Sequence, residues 1–343
     1  MTAGDERARW ELRKVQMTGG SSYTVTLPKE WVKAAKLEAG DVVGMLHQPD
    51  GSLALHPRAR AEAMRERLEI QLDDDNVEHA FRRIVAAYLA GYDVIAVKSR
   101  KPFSRGMREA VQRSAKRIIG LEVVDDEPHV VVLRDFLDAS EFPIDRALRR
   151  MSTLTRAMQD DALRAFREDP DEAAASMAER DDEVDRLYWM VNKQFHGILR
   201  DPSYARNMGL TASQALSFLM VARVTERVAD HALRLAVHVQ ALHASGSHAR
   251  LETKMEKQAK KAVQMFSDAL GAFHKGDVAE ANRIIEDSKA FATAQEAAIR
   301  ESHSLAGEDV VHVTFVLDSI ARTAAYAADV AETAINHRVA ARH

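Results

Sequence analysis

A chain of 343 residues with 46% hydrophobic and 29% charged side chains is long enough for two or three separate cores, and too rich in apolar residues for global disorder. It contains no cysteine, so disulfides, zinc ribbons, iron–sulfur clusters and thiol nucleophiles are excluded, and any metal must be held by carboxylate or imidazole. The net charge of −4 hides a gradient: residues 1–60 lean basic by two, 61–137 acidic by one and 138–343 acidic by five, so only the N-terminal end favours an anionic partner.

The first residues carry Asp5, Glu6, Arg7, Arg9 and Glu11, unlike a secretory signal. No later apolar run reaches membrane-spanning length, so a cytoplasmic location without membrane insertion is expected. From Arg13 to Pro57 the pattern is short and strand-like. A hairpin is predicted over 13–17 and 23–27, turning at Gly19-Gly20-Ser21-Ser22. Pro28 opens a short helix over 29–37, and Gly40-Asp41 ends it before a second hairpin over 42–46 and 52–55, turning at Pro49-Asp50-Gly51. A unit this small buries too little surface to stand alone, so dimerisation through it is expected. The run Val15-Gln16-Met17-Thr18-Gly19-Gly20-Ser21-Ser22-Tyr23-Thr24-Val25-Thr26-Leu27-Pro28-Lys29-Glu30-Trp31, followed by Leu37-Glu38-Ala39-Gly40-Asp41-Val42-Val43, resembles an AbrB/SpoVT domain. That resemblance implies an intertwined swapped-hairpin homodimer over 8–58 whose basic residues, here Arg13, Lys14 and Lys29, contact DNA.

Alternating elements follow: strand 68–72, helix 77–90 ending at Gly91, strand 94–97, helix 107–119 ending at Gly120, then strands 121–124 and 129–133. They predict a small α/β domain over 62–137. It has no glycine-rich phosphate loop, and its cluster of Lys98, Arg100, Lys101, Arg105 and Arg108 reads most simply as a solvated face.

After Pro143 the strand signals stop. Segments of 3.6-residue period occupy 146–168, 171–199, 211–242, 251–275, 277–302 and 310–339, broken by Asp169-Pro170, Asp201-Pro202, Ser245-Gly246-Ser247, Gly276-Asp277 and Gly307. Asp161-Ala162-Leu163-Arg164-Ala165-Phe166 recurs as Asp268-Ala269-Leu270-Gly271-Ala272-Phe273, each near the end of the first helix of a set of three. The expected fold is therefore multidomain α+β and mainly α. It comprises a β module, a small α/β domain, and two tandem antiparallel three-helix bundles over 140–244 and 249–343, each trio with its own core.

One stretch concentrates acids: Glu179-Arg180-Asp181-Asp182-Glu183-Val184-Asp185. Asp181 and Asp185 stand four apart on one helix face, and Glu226 and Asp230 repeat that spacing among Val224, Val228 and Leu235. Two such pairs on neighbouring helices could present four carboxylates to cations; equally, acids near a helix N-terminus complement its dipole, and Glu226 could pair with Arg223 or Arg227. Thr225-Glu226-Arg227-Val228-Ala229-Asp230-His231-Ala232 is similar to the Glu-Arg-Ile-x-Asp-His-Ala signature of PhoU proteins, and Asp181 to Asp185 matches that family's other acidic motif. The resemblance spans about 140–340. It implies that Asp181, Asp185, Glu226 and Asp230 ligate divalent or iron-type metal ions and that the protein is a non-enzymatic regulator of phosphate uptake. His231, beside Asp230, reads either as an outer partner or weak ligand of such a site or, more simply, as a partly exposed helix histidine. In the second bundle the matching third-helix stretch is Ala321-Arg322-Thr323-Ala324-Ala325-Tyr326-Ala327, and its second helix offers Asp287 and then Phe291, so at most one bundle should hold metal. Trp189 reads as packing.

Two other functions compete. In one, the N-terminal module only dimerises and the helices bind a phosphate transporter ATPase or sensor protein. In the other, the bundle is a carboxylate-bridged metal enzyme, which would want inward Glu-x-x-His pairs that the chain lacks at the proper places.

Overall fold

The computed structural model describes residues 11–47, 51–57, 66–137, 142–167, 171–245, 249–302 and 309–340. The boundaries expected at 8, 58, 62, 140 and 343 lie outside them, as do Pro49-Asp50, Asp169-Pro170, Gly246-Ser247 and Gly307. The chain divides into two compact units, residues 1–64 and 65–343.

In the first unit, β1 (Gln16–Thr18) pairs antiparallel with β2 (Ser22–Thr24), placing Met17 opposite Tyr23. Gly19 and Gly20 both take positive φ, 64° and 83°, which the tight turn requires and side-chain-bearing residues resist. Helix α1 (Lys29–Ala34) begins after Pro28, whose φ of −58° is already helical. Strands β3 (Gly44–His47) and β4 (Leu53–His56) form the second hairpin. None of the unit's described residues is buried, and Leu12, Val15, Met17, Tyr23, Val42 and Met45 are all more than half exposed. A β module whose apolar side chains face water has not completed its core within one chain.

Helix α1 ends in a Schellman motif: the Leu37 amide donates to the Val32 carbonyl at 3.0 Å and the Lys36 amide to that of Lys33 at 3.1 Å. The left-handed position is held by Lys36, at φ 52°, where glycine is the unstrained choice. Lys36→Gly is therefore expected to stabilise α1 by about 0.5–1 kcal/mol. Hydrogen exchange of the Val32–Leu37 amides should slow about two- to fivefold; unchanged rates would mean that contacts elsewhere already absorb the strain.

The second unit opens with an α/β layer: β5 (Arg67–Leu72), α2 (Val77–Leu89), β6 (Val94–Ser99), α3 (Arg105–Lys116), β7 (Leu121–Glu127) and β8 (Val130–Asp135). The sheet order is β5-β6-β8-β7, with β5 and β6 parallel and the other pairs antiparallel. Asn76 caps α2 by accepting from the Glu78 and His79 amides, and Ser104 caps α3 by accepting from Met107. Both helices cover one face of the sheet over Ile70, Ile95, Val97 and Leu133.

Seven helices follow: α4 (Ile144–Arg164), α5 (Asp171–Arg200), α6 (Pro202–Met208), α7 (Ala212–Ser245), α8 (Ala249–Lys275), α9 (Val278–Ser302) and α10 (Asp309–Ala340). Six were expected; Asp201-Pro202, read as a break, also starts α6. Proline tolerates a first helical turn, and Gly197 lets the Tyr204 ring approach α5 so closely that a Cβ there would sit 3.0 Å from it. The trios also do not keep separate cores. One continuous apolar cluster runs from Ile144 to Ala334, with α7 and α10 packed antiparallel: His231 meets Ser319, His238 meets His312, and the Phe218 ring meets His337. Each third helix buries a second face against its counterpart.

The α/β layer is anchored to α5. Trp189 meets Phe81 edge to face at 5.7 Å, and Lys193 forms an ion pair with the Asp135 carboxylate while its ammonium lies 4.7 Å from the centre of the Tyr88 ring.

Candidate functional site

Helices α5 and α7 pack side by side, and the heptad-like spacing of Val184, Leu187 and Val191 on one and Val221, Val228 and Ala232 on the other buries the seam between them. Along its edge the acidic run of α5 sorts into two kinds. Asp182 accepts from Arg117, the residue that follows α3, at 3.0 Å, and Glu183 from Arg150 of α4 at 2.9 Å; both are ordinary exposed ion pairs. Asp181 and Asp185, on the remaining face, are half-buried and turned toward α7.

The energetic signature of this cluster is repulsion. Burial, then the charge of Asp230, then Asp185 and Asp182, push the Asp181 carboxyl up to about 6. Burial and Asp230 raise Asp185 to about 6 against the opposing pull of Arg117. Glu226 rises to about 7, from burial first, then Asp230, with Arg223 opposing and Asp185 adding to the rise. Asp230 itself is exposed and is the neighbour common to all three. The Glu226 side chain is 15% exposed; its Oε2 is buried without a hydrogen bond, and the Arg227 Nε stands 3.6 Å away. A buried carboxylate oxygen without a hydrogen-bonding partner is costly, and folded chains retain such groups where something else satisfies them.

The four acids expected as ligands are thus brought into one electrostatic cluster. They do not form a closed shell: among the described residues no three His, Asp or Glu side chains already converge on a common ion position. An all-oxygen donor set with an orphaned carboxylate oxygen fits a hard or borderline cation, provided side-chain torsions close the gap. His231 does not join it; its Nδ1 lies 3.3 Å from the Ser319 hydroxyl and its ring leans on Tyr326 of α10.

Three surrounding residues have no site role in the sequence reading. Arg223 donates to the Tyr188 hydroxyl at 3.3 Å and stacks over its ring, placing a cation beside Glu226. Its position one turn before Glu226 is a usable signal. Arg117 comes from another layer of the fold, and nothing local in the sequence announces it.

In the second repeat the offset of the repeated hexapeptide shifts the expected register by one residue. The offset that carries Asp161 onto Asp268 carries Asp181 onto Ser288 and Asp185 onto Ala292, not onto Asp287 and Phe291. Asp287 instead accepts from Arg283 at 2.8 Å, and Phe291 is buried in the core. The third helices align at a shorter offset, which matches Arg227 to Arg322 and puts Ala321 and Ala325 in the places of Glu226 and Asp230.

The expected DNA contacts lie in the other unit. Arg13, exposed and paired with Glu11, and Lys14, also exposed, precede β1; Lys29 is the exposed first residue of α1. No described helix is long and apolar enough to cross a membrane.

Residues 16–63 match the family model of antidote-toxin recognition MazE, bacterial antitoxin. Among solved structures, PhoU from Pseudomonas aeruginosa superposes with a TM-score of 0.53 at 21% identity, covering 59% of this chain and 98% of that one. The phosphate transport system regulatory protein PhoU from Streptococcus pneumoniae gives 0.47 at 17%, covering 57% and 94%. No curated protein matches significantly. The PhoU domain model matches twice, over 148–239 and 255–334, which together take in half of the chain and both helical repeats; the chain belongs to the PhoU domain family.

Proposed function

We propose that this chain is a non-enzymatic regulator of phosphate uptake, in which a dimeric β head contacts DNA and the first helical repeat holds a divalent or iron-type cation between Asp181, Asp185, Glu226 and Asp230. The observation that carries the metal reading is the cluster itself. Burial and mutual repulsion raise three of these carboxyls, and one buried oxygen lacks a hydrogen bond. A bound cation would supply the positive charge that lets all four ionise together. Arg117 and Arg223 flank the cluster and already compensate part of that charge.

The DNA reading rests on the match of residues 16–63 to the MazE family, on the basic lean of the N-terminal end, and on the exposed Arg13, Lys14 and Lys29. The apolar surface left open on β1, β2 and β3 supports pairing with a second copy. Binding of the full-length protein to duplex DNA is expected to weaken steeply with salt. Arg13→Gln/Lys14→Gln should flatten the plot of log affinity against log salt by about one unit for each phosphate that the protein no longer neutralises. An unchanged slope removes those residues from the interface. Loss of all affinity even at low salt reassigns the head to dimerisation and makes the protein an adaptor for a transporter ATPase or sensor.

A further inference from the structure

Helices α7 and α10 belong to different repeats, and toward one end of their contact each contributes an imidazole. His238 stands on α7 two turns before its end at Ser245, and His312 lies in the first turn of α10. Their Nδ1 atoms are 2.9 Å apart and their ring centres 5.2 Å apart, so the rings meet nitrogen to nitrogen and not face to face. Both rings are partly exposed. Phe315, one turn further along α10, stacks on the His238 ring at 4.4 Å and 11°, which covers one face of the imidazole and leaves its edge to solvent.

In the paired state one Nδ1–H donates and the other Nδ1 accepts. One lone pair is thus already present, and the second appears when the donating ring carries its proton on Nε2 instead. Two nitrogens each about 2.0–2.1 Å from one ion stand about 2.9 Å apart at a right angle and about 3.3 Å apart at the tetrahedral angle. The separation seen here meets the first value and falls a few tenths of an ångström short of the second, so rotation of the two rings suffices to turn both nitrogens toward a common point, without a shift of either helix. Nitrogen donors suit zinc, nickel and copper and serve magnesium or calcium poorly, the reverse of the all-oxygen cluster on α5 and α7. Arg234, 5.7 Å from the centre of the Phe315 ring, opposes a cation here. It is exposed and has Asp318 at 4.0 Å, so its charge is screened by water and offset by a carboxylate.

We propose that His238 and His312 form a two-nitrogen site for a zinc-class transition ion, and that the bound ion clamps the third helix of one repeat to that of the other. Water completes the coordination, in keeping with the lack of a third converging His, Asp or Glu among the described residues. The site rests on neither the carboxylate cluster nor the DNA reading.

The test is a zinc titration of the full-length protein and of Asp181→Asn/Asp185→Asn/Glu226→Gln/Asp230→Asn, with a chromophoric chelator as competitor and hydrogen exchange as the local readout. One zinc equivalent should remain in that carboxamide variant. His238→Ala and His312→Ala, each added to it, should weaken this equivalent by about tenfold or more. His312→Asn, which can keep a hydrogen bond to His238 but ligates zinc poorly, should do the same while leaving the thermal transition in place. Zinc at about ten times its dissociation constant should slow exchange of the Leu235–Leu242 and Val313–Ile320 amides about tenfold, since their opening requires α7 and α10 to part. Magnesium in about thousandfold excess should neither displace the zinc nor slow those amides. No zinc equivalent in the carboxamide variant, affinity indifferent to either alanine substitution or to His312→Asn, or exchange at these amides unchanged by zinc would overturn the proposal and leave a hydrogen-bonded pair only.

Discussion

Asp181→Asn/Asp185→Asn/Glu226→Gln/Asp230→Asn is expected to lose bound metal and, in the presence of chelator, to unfold at a higher temperature than the native sequence at pH 8. The two effects have opposite signs and one cause. Carboxyls whose folded values are raised to about 6 and 7 oppose folding once they are ionised. That opposition is absent below their unfolded values near 4, grows as pH rises from there to the folded values, and is complete near pH 8. Removing the charges should therefore do little at pH 4 and stabilise by about 1–3 kcal/mol at pH 8, with solvent screening already discounted. With a cation present at about a thousand times its dissociation constant, the native sequence gains about 4 kcal/mol that the variant cannot, so the order of the melting temperatures reverses. Elemental analysis of both proteins supplies the direct check. Equal metal in the two discards the site, and a variant no more stable than the native sequence at pH 8 in chelator discards the repulsion on which it is argued.

The acidic pairs were readable because helical geometry is local: residues four apart share a face whatever else the chain does. What the run Glu179 to Asp185 could not disclose was which acids face α7. That choice is made by Arg117 and Arg150, which reach Asp182 and Glu183 from other layers of the fold. The one-residue slip in the second repeat has a similar origin. Asp287 looked like the surviving ligand because it is acidic, whereas the repeat offset assigns the position to Ser288. The elements of the α/β layer were legible to within about three residues: α2, expected over 77–90, spans Val77–Leu89 before Gly91, whereas α3, expected over 107–119, spans Arg105–Lys116 between the Ser104 cap and Gly120. The shared core of α7 and α10 was not. Buried residues from Val313 to Ala334 occupy so much of the circumference of α10 that periodicity gives no single inward face from which to infer a second neighbour. Likewise, a hairpin pattern can show that the β head lacks a core but cannot supply the second chain that would complete it.

Asp135→Asn is expected to be the most destabilising single change, because it strands a lysine. Asp135 is 3% exposed and its ion-pair partner Lys193 15%. The pair joins the end of β8 to α5, so it ties the α/β layer to the helix that also carries Asp181 and Asp185. Burial draws the Lys193 ammonium down to about 8, with Asp93 resisting and Arg200 adding to the fall. Asparagine keeps an oxygen that can accept from the Leu137 amide, as Asp135 Oδ1 now does at 2.9 Å, so the substitution isolates the loss of charge from the loss of that hydrogen bond. An uncompensated buried cation costs about 3–5 kcal/mol when its partner is removed. The sign with pH follows from Lys193: its penalty is fully present below the folded value and fades as the ammonium deprotonates. The deficit of Asp135→Asn relative to the native sequence should thus be large at pH 7 and shrink by pH 9.5. Asp135→Asn/Lys193→Met, which removes both charges and keeps the apolar stem over Tyr88, should recover most of the stability at every pH. Chemical denaturation at the two pH values decides the matter: a deficit that does not change with pH, or a double variant no better than the single, would show that Asp135 acts through its backbone hydrogen bond and not through the ion pair.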